Sequence, residues 1–123
     1  ICKNRKALNK FHIQERFEAG IKLVGSEVKA VRQNKISIDG AYARIERDEV
    51  WLFGANIEQY AHSIYEHDPN RKRKLLLNRA QIQKITVKAI QKGYTLVPLS
   101  VYLSKGKIKI ELAVAVGKQA HDK

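Results

Sequence analysis

Apolar residues alternate with polar ones over residues 11–18, where Phe11, Ile13 and Phe17 share one parity. That two-residue period belongs to a strand with one buried face. Gly20 breaks the run, and Ile21-Lys22-Leu23 resumes it. Ser26 then has the character of a helix N-cap, with Glu27 in the first turn and Val28 and Val31 three apart on one side. A short helix is expected over about 26–33. Residues 36–38 form a strand pattern, and 42–46 with 50–53 a hairpin turning at Arg47-Asp48-Glu49; residues 57–60 add a short strand. Residues 62–74 have no period and are expected to be an exposed loop. Leu75-Leu76-Leu77 buries the chain again, and Asn78 is placed as the N-cap of a second helix. Ala80, Ile82, Ile85, Ala89 and Ile90 keep helical spacing up to Gly93, a C-terminal stop. Residues 95–103 are strand-like, 104–106 a turn, and 107–116 the cleanest strand, with Ile108, Ile110, Leu112, Val114 and Val116 on one face.

Six to eight short strands with two or three helices predict a mainly β chain. An OB-like antiparallel β-barrel is the first choice, because closure removes exposed sheet edges. The 123 residues suit one domain spanning 1–123. No apolar run approaches the roughly 20 residues needed to cross a bilayer, and the lone Cys2 has no partner for an internal disulfide. A cytoplasmic location and no membrane partner are expected; a monomer is expected as well. Opening at Ile1 without any methionine, the chain is expected to be a piece of a longer one.

Charge changes the picture more than composition does. The net charge is +12, and it is unevenly placed. Residues 1–68 hold 11 basic and 10 acidic side chains, whereas 69–110 hold 11 basic and no acidic ones. Like charge left unrelieved opposes compaction, so a segment of one sign reads as a contact surface for a polyanion, nucleic acid first.

Within that segment Arg71-Lys72-Arg73-Lys74 is the densest run. It is either a solvated turn or a set of phosphate contacts. Lys84, Lys88 and Lys92 recur every fourth residue along one side of the second helix, facing away from Ile82, Ile85 and Ala89. That row suits a phosphate backbone and equally suits a plain solvated face. Lys3-Asn4-Arg5-Lys6 is a basic and mobile terminus on the same reading. Tyr42, Tyr60, Tyr65, Tyr94 and Tyr102 are either structural or stacking platforms for unpaired bases, while Phe11, Phe17, Trp51 and Phe53 fall in strand alternation and are assigned to the core. His62, His67 and Asp68 lack a zinc-ligand spacing. Lys105-Gly106-Lys107 is too short for a phosphate loop, and the basic half offers no carboxylates to hold catalytic metals. No cofactor, metal site or catalytic residue is expected.

Several blocks then acquire a joint meaning: Asn4-Arg5-Lys6-Ala7, Phe17-Glu18-Ala19-Gly20-Ile21, Gly25-Ser26-Glu27-Val28-Lys29 with Arg32, Asp68-Pro69, the 71–77 run with Asn78, the stretch Gly93-Tyr94-Thr95-Leu96-Val97-Pro98-Leu99, Tyr102, and the closing Gly117-Lys118 with His121-Asp122-Lys123. In order and spacing they resemble the SmpB family from end to end. The resemblance implies an OB-like barrel that binds the tRNA-like domain of bacterial tmRNA (SsrA RNA) around its elbow and D-loop, and enters stalled ribosomes with it. It implies a complex shared with elongation factor Tu, and help to alanyl-tRNA synthetase in charging tmRNA.

Residue by residue, the resemblance implies an RNA-binding role for Glu18, Leu76 and Asn78. Asn4, Arg5, Lys6, Gly20, Lys29, Arg32, Arg71, Arg73, Lys74, Lys84, Lys88 and Tyr94 complete the expected RNA-binding set. Gly117, Lys118, His121, Asp122 and Lys123 are expected to face the ribosome. Glu18 either accepts a proton donor from RNA or orders the backbone at Gly20, and Asn78 either reads a base edge or only caps its helix. The family continues beyond this motif with a basic tail, so tmRNA binding is expected without full tagging activity. Two rivals remain: a general structured-RNA binder, such as a ribosomal or tRNA-associated OB protein, and an RNA-processing enzyme.

Overall fold

The computed structural model describes residues 2–59, 68–90 and 93–117. Its short β1 (Cys2–Lys3) leads into α1 (Arg5–Lys10), β2 (Phe11–Ile21) and α2 (Gly25–Arg32). Then follow β3 (Ile36–Ser37), β4 (Tyr42–Glu46), β5 (Glu49–Phe53), β6 (Asn56–Ile57) and β7 (Arg73–Leu76). The chain continues through α3 (Arg79–Ala89) to β8 (Tyr94–Ser104) and β9 (Lys107–Gly117).

All pairings are antiparallel. Strand order β8-β4-β5-β7-β2-β9, with β9 paired back to β8, closes a ring. β1 adds to β8 beside β4, and β3 with β6 forms a separate small sheet. The expected mainly β, OB-like barrel is what the chain forms, and among the described residues it carries three helices where two or three were expected. Its two sharpest hairpins turn at Arg47-Asp48 and Lys105-Gly106, all four at positive φ. That geometry matches the twist of the strands they join.

Inside the ring lie Ala19, Val50, Leu52, Leu75, Leu96, Val101, Ile110, Leu112 and Val114. Each fully buried Leu or Ile there contributes roughly 1.5–3 kcal/mol. The alternation read in β9 holds for Ile110, Leu112 and Val114, while Ile108 and Val116 are only half-buried. Its other face carries Ala113 and Ala115, small enough for α1 to set Ala7 against them, with Val97 and Leu99. Ile85 anchors α3 to the core with Ile82 beside it, whereas Ala80 and Ile90 are exposed.

Several expectations are corrected. Gly20 does not break β2, which runs straight through it. Ser26 is inside α2 rather than its cap; the cap position is Val24, whose N–H donates to the Glu27 carboxylate. The basic N-terminal run is folded: Lys3 pairs in β1, and Arg5 opens a helix. Asn4 is buried, its Nδ2 donating to the Ile38 and Pro98 carbonyls at 3.2 and 2.9 Å while its Oδ1 caps α1 at Ala7. Its expected role as an RNA contact gives way to this internal one, since its side-chain hydrogen bonds go to the protein's own backbone. Phe17 is buried as expected and Phe11 half-buried, but Trp51 and Phe53 point outward from β5. Phe53 stacks on Tyr42, and the Lys72 ammonium lies 4.7 Å from the Trp51 ring centre. Tyr60, His62, Tyr65, His67 and Lys92 lie outside the described residues.

Candidate nucleic-acid interface

The Arg71–Lys74 run is split between interior and surface. Arg73 and Leu75 point into the barrel, and Lys74 and Leu76 point out, as strand alternation in β7 requires. Arg73 is fully buried, so the expectation of a phosphate contact there is overturned. Its Nε and Nη2 donate to Glu27 Oε2 at 2.9 and 2.6 Å, and its remaining N–H groups reach the carbonyls of Ala55, Pro69 and Asp68. Arg71, half-buried, grips the same carboxylate through Nε and Nη2. Glu27, also fully buried, thus accepts from two guanidinium groups and from the Val24 N–H. Burial pushes its carboxyl up, but the hydrogen bonds from Arg71, Val24 and Arg73 outweigh this and hold it below the usual range. The 71–74 run is therefore partly an internal fastener. Nothing in the spacing of the sequence distinguishes an inward arginine from an outward one when its partner lies 46 residues away.

Four expected residues do converge. Gly20, Arg32 and Leu76 line one cleft, together with Lys107 and Lys109 from the β8–β9 hairpin, and Glu18 stands two residues from Gly20 on the same face of β2. Register brings them there: Gly20 sits opposite Leu76 on one side and Lys109 on the other. A Cβ at Gly20 would stand 3.2 Å from that of Leu76, so the bare backbone keeps the half-exposed leucine seated. Arg32 Nη2 donates to the Gly106 carbonyl at 3.1 Å, tying α2 to the hairpin. Exposed Glu18 accepts a 2.6 Å hydrogen bond from the Tyr102 hydroxyl. Lys107, Lys109 and this Tyr102 contact were absent from the expected set. The carboxylate-free segment pointed to the two lysines, but the tyrosine contact depends on strand register.

The other expected residues are distributed around the barrel. Lys29 is exposed on α2, and Arg5 and Lys6 are exposed on α1. Lys74 pairs with Glu49 at 2.8 Å. Lys84 and Lys88 do share a side of α3, and both reach Glu15 of β2, at 2.7 and 3.5 Å. The hydrogen bond from Lys84, foremost, holds that carboxyl below its ordinary value. The helical row therefore meets one carboxylate that its periodicity did not reveal. Asn78 caps α3 in a reciprocal box: its Oδ1 accepts from the Gln81 N–H at 2.8 Å, and Gln81 Oε1 accepts from the Asn78 N–H. Asn78 itself is exposed. Tyr94 packs half-buried against the core. Gly117 ends β9 opposite Phe11, while Lys118, His121, Asp122 and Lys123 lie outside the described residues. Among the described residues no three His, Cys, Asp or Glu side chains gather as a metal would require, and no helix is long and apolar enough to cross a membrane.

What the cleft can do chemically is hold a strand of RNA. It has an acceptor-only carboxylate for amino or hydroxyl donors, ammonium groups for phosphates, and an apolar side chain able to cover a sugar or base.

The chain is similar to known proteins along its whole length. The family model described as "SmpB protein" matches residues 1–123. An SsrA-binding protein of Mycobacteroides abscessus is 51% identical over 124 residues, covering 100% of this chain and 78% of that one. The SsrA-binding protein of Syntrophobacter fumaroxidans is 47% identical, covering 100% and 77%. A solved structure described as "tmRNA-SmpB: a journey to the center of the bacterial ribosome" superposes with a TM-score of 0.79 at 42% identity, covering 99% of this chain and 87% of that chain. With a closed barrel, a cleft assembled from the motif residues and a family match along its whole length, the chain belongs to the SmpB family.

Proposed function

We propose that this chain is a non-enzymatic adaptor that binds the tRNA-like domain of tmRNA and brings it to stalled ribosomes. The observation that supports this most directly is the cleft where Gly20, Leu76 and Arg32 meet Lys107 and Lys109, with Glu18 at its rim. Relatives about half identical to this chain over the aligned residues are SsrA-binding proteins, and the similar solved structure is described as tmRNA-SmpB and the bacterial ribosome. In this reading residues 1–123 act as one cytoplasmic, monomeric RNA-binding domain. Glu18, Gly20, Leu76 and Asn78 discriminate. The exposed cations Arg5, Lys6, Lys29, Arg32 and Lys107, with half-buried Lys109, supply affinity, and residues 117–123 face the ribosome. Elongation factor Tu and alanyl-tRNA synthetase are met through the tmRNA complex.

Phosphate contacts weaken steeply with salt, whereas base and 2′-hydroxyl contacts do so less. Titration against the isolated tRNA-like domain, with an elongator tRNA as competitor at two salt concentrations, tests the reading. The tRNA-like domain wins at both. Loss of that preference at the higher salt leaves only a general structured-RNA binder, and magnesium-dependent cleavage of labelled RNA would make it an enzyme.

Asn78→Ala separates two roles of one side chain. Loss of the cap costs about 1 kcal/mol of stability. Loss of a base-edge contact removes roughly 1–3 kcal/mol of preference for tmRNA. Parallel titrations on tmRNA and tRNA measure the second; equal weakening on both would assign Asn78 to capping alone.

A further inference from the structure

Glu18 occupies an awkward position for a recognition residue. It is exposed, it sits directly opposite another carboxylate, Glu111, on β9, and no ion pair among the described residues includes it. Glu111 itself leans on Arg16 at 3.7 Å. Like charges opposite one another on adjacent strands repel, and an unrestrained glutamate on a surface samples many rotamers. One contact holds it. The Tyr102 hydroxyl donates to Glu18 Oε1 at 2.6 Å, the short length of a charge-assisted bond.

The strand register makes that contact possible. Gly20, Lys109 and Tyr102 stand side by side across β2, β9 and β8, and Glu18, Glu111 and Ser100 form the next row. Tyr102 therefore reaches diagonally over β9 to Glu18, with Lys109 beside the path. A tyrosine has the length for this, and its ring leaves only two torsions to order. Burial first, and then the Glu18 carboxylate, push the phenol up to about 12, so it remains a donor throughout the working pH range. With Oε1 engaged, Oε2 is left as an acceptor. An acceptor-only oxygen repels phosphate and takes an O–H or N–H instead. Lys107 and Lys109 in the adjoining cleft give the neighbouring phosphate its counter-charge.

We infer that Tyr102 is a positioning residue for RNA recognition: its hydroxyl clamps Glu18 so that the free carboxylate oxygen meets a hydrogen-bond donor of the RNA, a 2′-hydroxyl or the N–H edge of a base. This rests on the proposal that Glu18 contacts tmRNA, and the test keeps the two apart.

The full chain, its Glu18→Gln, Tyr102→Phe and doubly substituted forms are titrated with the tRNA-like domain, and each is followed through thermal unfolding. Removing a hydrogen bond to a charged acceptor weakens binding roughly tenfold to hundredfold for Glu18→Gln, and about fivefold or more for Tyr102→Phe. The double substitution is no weaker than Glu18→Gln alone, because the tyrosine acts only through the carboxylate. Thermal unfolding of Tyr102→Phe stays in place, as the ring is kept. Full affinity of Tyr102→Phe beside a weakened Glu18→Gln would overturn the clamp and leave the cleft proposal standing; so would losses that simply multiply. An unaffected Glu18→Gln would instead remove Glu18 from the interface.

Tracts of the RNA with 2′-deoxy sugars, and separately with inosine in place of guanosine, then distinguish the donor. The substitution that abolishes the Glu18 dependence identifies a sugar hydroxyl or a guanine amino group. A dependence that survives both overturns the assignment of the donor to either group.

Discussion

Arg73→Leu unfolds at a much lower urea concentration than the parent chain, with a loss of about 3–5 kcal/mol. The substitution removes a guanidinium that is wholly buried and that satisfies Glu27 Oε2 and three backbone carbonyls. Leucine fills part of the volume and none of those hydrogen bonds, so a buried carboxylate keeps only half-buried Arg71 and the Val24 N–H as donors. Breaking one side of such a pair is far more damaging than replacing both, and Glu27→Leu combined with Arg73→Leu recovers part of the loss. The RNA salt slope, measured where the variant is still folded, does not change, because Arg73 never faced the phosphates. A loss under about 1 kcal/mol would show the cluster to be incidental.

The same cluster predicts the acid limb of the stability curve. Glu27 is held below its ordinary value in the folded chain. Its contribution is therefore complete above the unfolded carboxylate range, and is lost as pH falls through the depressed folded value. Urea midpoints measured across that acid range fall in the parent chain, and fall less in the doubly substituted one.

Asn4→Ala is the second large effect, roughly 2–4 kcal/mol by thermal unfolding, the sum of a lost helix cap and buried carbonyls stripped of their donor. Asn4→Ser restores the cap at Ala7 and recovers about 1 kcal/mol, leaving the Ile38 and Pro98 carbonyls unserved. Arg5→Ala, one residue on and exposed, leaves stability nearly unchanged. A stable Asn4→Ala chain with weakened RNA binding would return Asn4 to the interface.

These effects mark where local pattern stops being informative. β8, β9, the β4–β5 hairpin and α3 with its Asn78 cap were legible because each obeys a period or a turn rule within ten or so residues. α1 was not, since six residues hold too little periodicity and its cap works by contacts to Ile38 and Pro98. Trp51 and Phe53 have the right parity for a strand, but period two alone does not say which face is inside. The segment-wide charge asymmetry pointed to Lys107 and Lys109 of the cleft and gave no sign that Arg73 is buried, its partner Glu27 lying in the mixed half of the chain. In the candidate site, Glu18, Gly20 and Leu76 were legible through family resemblance, and Tyr102 as the neighbour of Glu18 was visible only in the strand register.

The Glu27 cluster also acts as a calliper. Its carboxylate is on α2, the helix that bears Arg32, and its guanidinium partners flank the start of β7, the strand that bears Leu76. The aperture between those two walls is thus set by an interaction inside the protein, where mobile ions screen it little. On the proposed reading, ionic strength loosens a grip on phosphate without altering the opening, so the strength of capture and the shape of the receptor are tuned by separate sets of charges.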